Sequence, residues 1–152
     1  MVKMRDDRKT LDLLSWQPPD VAESFEPERV RGHSDRIRMA RAYAEAIKES
    51  GLSRDDIHAD MVAHMGFEFS RNTLDRVTAP SSDAHEFTVS KLIAFLRAVP
   101  DLRVANELLK GTGFAAIPEQ YLAAIEEAIC LDQKEQLDDR IRRARRSWKG
   151  RP

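Results

Sequence analysis

The sequence has one cysteine, Cys130, and no apolar run long enough to cross a membrane. A single cysteine excludes an internal disulfide and a zinc site built from several cysteines. A membrane-spanning helix needs about 20 consecutive apolar residues, and a signal peptide needs an apolar stretch of about 7–15 residues near the N-terminus. Because the sequence contains neither, we expect a cytoplasmic protein with no membrane partner.

Aromatic residues are also scarce, at 7% of the chain, and β-branched residues show none of the enrichment typical of strands. Apolar residues make up 41% and charged residues 34%, a balance that favours helices. The formal net charge of −1 argues against nucleic-acid binding through overall charge. Charge becomes one-sided only at the end, where residues 140–152 contain seven basic residues and no acidic one.

Signals for helix starts and stops recur through the middle of the chain. Serine or threonine precedes each apolar pattern, as N-cap residues do, and Ser53 with Asp56 has the spacing of a capping box. The candidate N-caps are Ser34, Ser53, Ser70 and Thr88, and the candidate stops are Gly51, Gly66, Pro80 and Pro100. These signals predict helices at 34–50, 53–65, 70–79, 88–99 and 102–110. In the first of these, an apolar stripe runs along Ile37, Ala40, Ala44 and Ile47.

A further helix is predicted from Pro118, a residue suited to the first helical turn. Its apolar residues lie on or near one face, and this stripe weakens between Ile129 and Leu137. The stripe consists of Leu122, Ile125, Ile129, Leu137 and Ile141. The basic end of the helix is either an arm that contacts phosphate or a solvated end without contacts. The candidate phosphate contacts are Arg140, Arg142, Arg143, Arg145 and Arg146.

The stretch from Met61 to Pro80 predicts a helix, a turn containing glycine, and a short helix with polar side chains on its outer face. Arginine can bond guanine through O6 and N7, and asparagine can bond adenine through N6 and N7. Asp75 either accepts a hydrogen bond from cytosine or pairs with Arg71 four residues earlier. The candidate DNA contacts are Ser70, Arg71, Asn72, Thr73, Asp75 and Arg76, with Phe69, Leu74 and Val77 as anchors on the core.

The pattern Leu52-Ser53 … Ile57 … Met65-Gly66 … Phe69-Ser70-Arg71-Asn72-Thr73-Leu74 … Val77 resembles the lambda-repressor/Cro class of DNA-binding domains. In that class, a Leu-Ser/Thr start, an apolar-Gly turn and a Ser-x-x-Thr-apolar opening precede the recognition helix of a helix-turn-helix. The turn in this sequence is longer than in that class. The resemblance implies that the helix beginning at Ser70 enters the major groove.

A wider resemblance covers most of the chain. Leu11-Asp12-Leu13-Leu14-Ser15-Trp16-Gln17-Pro18-Pro19, the helix-turn-helix pattern, Phe87-Thr88-Val89 and a charged last helix together resemble a small protein of the early region in Mu-like transposable phages. The segment from Asn72 through Leu109 is also similar to CII-type phage regulators. These resemblances imply sequence-specific DNA binding that controls transcription, or supports transposition, in a phage or prophage.

Sequence motifs for catalysis are missing. His85-Glu86 lacks the second histidine of a zinc-protease helix, since Val89 stands in its place, and no glycine-rich phosphate loop is present. We therefore expect no enzyme, no cofactor and no metal. The N-terminal segment with Leu13, Leu14 and Trp16 either packs on this protein's own helices or a second subunit, or docks to a phage or host protein.

The combined expectation is an all-α protein with a lambda-repressor-like helix-turn-helix bundle. Residues 1–31 would form an extended N-terminal arm, 32–112 the DNA-binding domain, and 113–152 a long C-terminal helix with a basic tail. A homodimer is expected, because one short recognition helix reads few bases and two-fold symmetry presents two of them to double-stranded DNA. The alternative function is a helical adaptor that joins other proteins without binding DNA.

Overall fold

The computed structural model describes residues 21–81 and 85–150, and all regular secondary structure within these ranges is helical. The all-α expectation is therefore confirmed for this part of the chain. The candidate partner-binding residues Leu13, Leu14 and Trp16 lie outside the described residues. In chain order the helices are α1 (Asp35–Ser50), α2 (Arg54–Met65), α3 (Arg71–Val77), α4 (Val89–Ala98), α5 (Leu102–Leu109) and, after a 3-10 turn at Glu119–Tyr121, α6 (Leu122–Lys149).

The helix starts follow the predicted N-caps. Side-chain oxygens of Ser34, Ser53 and Thr88 accept hydrogen bonds from backbone N–H groups three residues later, at 3.3, 3.1 and 3.5 Å. Ser70 occupies the N-cap position of α3, but its side chain makes no capping hydrogen bond. The predicted capping box needs a correction too, since the Asp56 carboxylate accepts from the Ser53 hydroxyl at 2.6 Å.

The helix ends agree with the predicted stops at Gly51 and Gly66, which have φ angles of 70° and 73°. Left-handed backbone of this kind favours glycine. α3 ends at Val77, two residues earlier than predicted, because the residue before Pro80 disfavours helix. At this end of the helix the Thr78 hydroxyl donates to the Leu74 carbonyl at 2.9 Å. Pro118 precedes the 3-10 turn and not α6 itself.

The core lies among α1 to α5, where α1 packs against α5 and α2 against α4. Tyr43, Phe87 and Phe95 form an aromatic cluster with ring centroids 5.0–5.6 Å apart. Burial, with a smaller contribution from the charge of Glu86, raises the pKa of Tyr43 to about 12. The buried face of α1 differs slightly from the predicted stripe, because Ala44 and Ile37 are only half-buried; its buried members are Ala40, Ala42, Tyr43, Ala46 and Ile47.

The segment before α1 is part of this core. Phe25 and Val30 are buried, although residues 1–31 were expected to form an extended arm. The guanidinium of Arg103 lies 4.4 Å from the centre of the Phe25 ring. Glu49 pairs with Arg103 and with Arg29, and so connects this segment through α1 to α5.

We expect Glu49→Gln to lower the melting temperature at neutral pH and to have no effect in acid. Hydrogen bonds from Arg103 and then Arg29 lower the pKa of Glu49 below its ordinary value of 4.5. A carboxylate with a lowered pKa in the folded protein stabilises it above the unfolded pKa, and this stabilisation is lost as pH falls through the folded pKa. Thermal melts of both proteins from pH 7 to below pH 4 measure the difference, which should shrink to zero at the acid end. A constant difference across this range would contradict the assignment.

Helix α6 has a different environment from the other five. It contains 28 residues, none of them buried, and its contacts with other elements are made chiefly to the preceding 3-10 turn. Seven large apolar side chains on it are exposed, and six of them form the row described below. No described helix is both long and apolar enough to span a membrane.

Candidate nucleic-acid interface

Helices α2 and α3 pack against each other and are joined by residues 66–70. Leu74 and Val77 are buried and Phe69 packs against the core, so the three predicted anchors of α3 are confirmed. The turn is also held by His58, whose Nε2 lies 2.7 Å from the Phe69 carbonyl oxygen and whose ring meets the Phe69 ring. These contacts fix one side of α3 to the domain and leave its other side in solvent.

The solvent side of α3 carries Asn72 and Arg76. They are four residues apart, which places them on one helical face, and both are exposed. Neither makes a side-chain hydrogen bond or an ion pair with the described part of the chain. Ser70 is also exposed and Thr73 is half-buried. The outer face of α3 therefore offers an amide and a guanidinium that are free to bind another molecule.

Arg71, the third expected reader, is engaged within the protein. Its Nε lies 2.7 Å from an Asp55 oxygen, and its Nη1 pairs with Asp75. Partial burial alone would lower the pKa of Arg71, but the hydrogen bonds and charges of the two carboxylates outweigh burial and raise it. Of the two roles considered for Asp75, pairing with Arg71 is the one the structure displays. Asp75 also lies 3.3 Å from Arg54.

Acidic residues outnumber basic ones in the hairpin that α2 and α3 form. Residues 53–80 contain five acidic and three basic side chains. Two of the three basic ones, Arg54 and Arg71, have carboxylate partners, which leaves Arg76 without an ion-pair partner among the described residues. The hairpin can thus supply directed contacts from α3 but little attraction to a phosphate backbone.

Basic charge is concentrated instead at the end of α6. The five predicted arginines are all exposed, and Arg142 lies 3.5 Å from Asp139. Helices α6 and α3 are not among the pairs of described elements that pack extensively against each other. That the five arginines contact phosphate stays a prediction. The five residues are Arg140, Arg142, Arg143, Arg145 and Arg146.

The sequence did not predict a small cavity of about 170 Å³ beside α1. Its walls are mostly apolar and include Met39, Tyr43 and Leu92. At its edge, Nη2 of Arg36 donates to the Pro80 carbonyl at 3.0 Å, while the buried Nη1 has no partner among the described residues. The lining residues are far apart in sequence, and a lone arginine at the start of a helix gives no signal of such a cavity.

No group of three or more His, Cys, Asp or Glu side chains in the described ranges is arranged to hold a metal ion. Two histidines of α2 have other contacts: His58 meets the Phe69 carbonyl, and His64 Nδ1 lies 2.8 Å from Arg97. Comparison with protein families, curated proteins and solved structures finds no match to this chain.

Proposed function

We propose that this protein is a sequence-specific DNA-binding regulator that reads the major groove with α3 as part of a helix-turn-helix and acts as a dimer. The observation that supports the proposal is the outer face of α3. Leu74 and Val77 are buried and anchor the helix, while Asn72 and Arg76 are exposed and have no side-chain partner among the described residues. A short helix held in this way can present side chains to base edges.

Each side chain of this face suits a different contact. Arg76 can form two hydrogen bonds to guanine, and Asn72 can form two to adenine. Arg71 can exchange its carboxylate partners for a phosphate, because solvent-exposed ion pairs contribute only about 0–1 kcal/mol. The carboxylates of Asp55 and Asp75 would oppose binding to DNA of any sequence, because they repel phosphate. A surface with little attraction for phosphate depends on base contacts for its affinity.

The length of α3 favours a dimer. It has seven residues, enough for only a few base contacts. A two-fold symmetric dimer presents two such helices to successive turns of the major groove, about 34 Å apart. The resemblance to lambda-repressor/Cro, CII-type and Mu-like phage proteins supports a role in transcription or transposition of a phage or prophage.

The direct test is to select bound sequences from a random DNA pool and measure affinity for the best of them. We expect Asn72→Ala and Arg76→Ala each to weaken binding by about 1–3 kcal/mol and to relax preference at particular base pairs. Thermal stability should stay the same, because both side chains are exposed. Arg31→Ala is the matched control, since Arg31 is an equally charged exposed residue outside the hairpin. Selection of no sequence, or unchanged binding by both variants, would contradict the proposal.

A second candidate function is a helical adaptor that joins other proteins without DNA. The exposed apolar side chains of α6 favour this alternative, because exposed apolar surface commonly marks a protein interface. An adaptor would retain no DNA of any sequence in the same selection.

A further inference from the structure

Helix α6 carries a row of large apolar side chains that nothing in the described chain covers. The row starts at Leu122 and ends at Trp148, which is 76% exposed. Its members are spaced by three or four residues, so they share one face of the helix. The full row, with the two smaller or polar positions that continue the spacing, is Leu122, Ile125, Ile129, Gln133, Leu137, Ile141, Ala144 and Trp148. We call this row the α6 seam.

The seam is continuous along the helix. The apolar pattern weakens between Ile129 and Leu137, but α6 runs through this region without a break, and Gln133 occupies the position between them. Leu122, Gln133 and Ala144 follow each other at intervals of eleven residues. Because eleven residues make three turns at about 3.67 residues per turn, this spacing keeps a seam on one side of a long helix.

Charge is distributed unequally along α6. Residues 122–135 contain four acidic side chains and one basic, whereas residues 136–149 contain two acidic and six basic. A helix dipole favours this order within a single chain, but it gives no reason for an apolar seam. Two such helices side by side attract each other when antiparallel, since each acidic half then lies beside a basic half. In a parallel pair, like charges would face each other.

We propose that α6 pairs with α6 of a second copy of this chain in antiparallel orientation through the seam. The register that matches the seam to itself places Leu122 opposite Trp148, Ile129 opposite Ile141, and Gln133 opposite Leu137. All of the large apolar side chains of the seam then lie against the second helix. The pair supplies the dimer contact that the proposed function needs, but it does not depend on DNA binding and is tested without DNA.

The same register brings opposite charges together beside the seam. Along the helix axis, Glu127 lies within one turn of Arg145 of the second copy. Asp132 lies within one turn of Arg140 of the second copy, and Arg140, five turns after Leu122, is on the seam face itself. Three further basic residues, Arg142, Arg146 and Lys149, are on the opposite side of α6 from the seam and remain in solvent. Pairing and phosphate contact are therefore compatible on one helix.

The mass of the full chain in solution tests the pairing. By light scattering and sedimentation, the parent protein should be a dimer, and Ile129→Glu or Ile141→Glu should raise the dissociation constant at least tenfold. Leu131→Glu is the matched control, because Leu131 is an exposed leucine of the same helix on the side away from the seam; this variant should stay dimeric. A monomeric parent protein, or a dimer that tolerates both seam variants, would overturn the proposal.

Charge reversal tests the predicted neighbours. Glu127→Arg alone and Arg145→Glu alone should each weaken the dimer, because each places like charges together. The double variant should recover most of the loss, since it restores opposite charges in the exchanged order. Failure of the double variant to recover would refute this register.

Thiol cross-linking tests the orientation. In the antiparallel pair, Cys130 faces residue 140 of the second copy, while the two Cys130 side chains are about 15 Å apart along the axis. The parent chain is mixed with a tagged C130S/R140C chain and treated with a short bifunctional thiol reagent. We expect the product joining the two different chains to dominate. Dominant products joining two Cys130 residues would indicate a parallel pair and overturn the proposal.

Discussion

Replacing Phe95 by alanine is expected to lower the free energy of unfolding by about 3–5 kcal/mol. Phe95 is fully buried, its ring meets those of Tyr43 and Phe87, and it belongs to α4, which packs against α2. Small domains have only about 5–15 kcal/mol of stability. The loss of this one ring would therefore remove a large part of the stability of the domain.

Urea denaturation followed by circular dichroism measures the Phe95 effect. Val89→Ala, on the same helix but 73% exposed, is the control and should change stability by less than about 0.5 kcal/mol. Equal midpoints for Phe95→Ala and the parent would show that α4 does not pack on the core in the way described here. The denaturation should be done on the Ile129→Glu background as well, so that any dimer contribution to stability is removed.

The second large effect is expected from the triple variant R142Q/R146Q/K149Q. It removes three basic charges from the side of α6 away from the seam, so the dimer should persist. Each phosphate contact contributes about 0.9 to the slope of log affinity against log salt concentration, so three contacts from each chain of a DNA-bound dimer would together contribute about 5. We expect the slope of the variant to fall by about 3–5 and its ranking of DNA sequences to stay the same, because phosphate contacts position a protein and base contacts specify.

Binding assays at four or more salt concentrations, with sedimentation of both proteins, check the triple variant. An unchanged slope would favour the other interpretation of the basic tail, a solvated end without contacts. A lost dimer would show that these residues lie in the interface and would contradict the register of the α6 pair. Arg31→Gln serves as a single-charge control remote from α6 in the sequence.

The helix boundaries were largely predictable, because the signals that determine them are local. Ser34, Ser53 and Thr88 act through hydrogen bonds to groups three residues away, and Gly51 and Gly66 act through their own backbone angles. Such signals can be read from a short window of sequence. The errors at the end of α3 and the start of α6 are confined to two and four residues for the same reason.

The electrostatics of α3 were only partly predictable. The pair Arg71–Asp75 follows from their spacing on one helix, but the pair Arg71–Asp55 depends on how α2 lies against α3. Phe25 is buried by α5, which is distant in sequence, and the Arg36 cavity likewise depends on tertiary packing. A sequence pattern also shows an apolar face without showing what covers it, so the full exposure of α6 became apparent only in the structure.

The 28 residues of α6, at a rise of about 1.5 Å each, give a rod of roughly 42 Å. In an antiparallel pair, each globular domain is attached at the N-terminal end of its own rod, so the two domains stand at opposite ends. The distance between the two domains is then set by the number of residues in α6. Adding or removing one turn of α6 would shift the domains by about 5 Å, and with them the spacing of the half-sites that a dimer can bind at once.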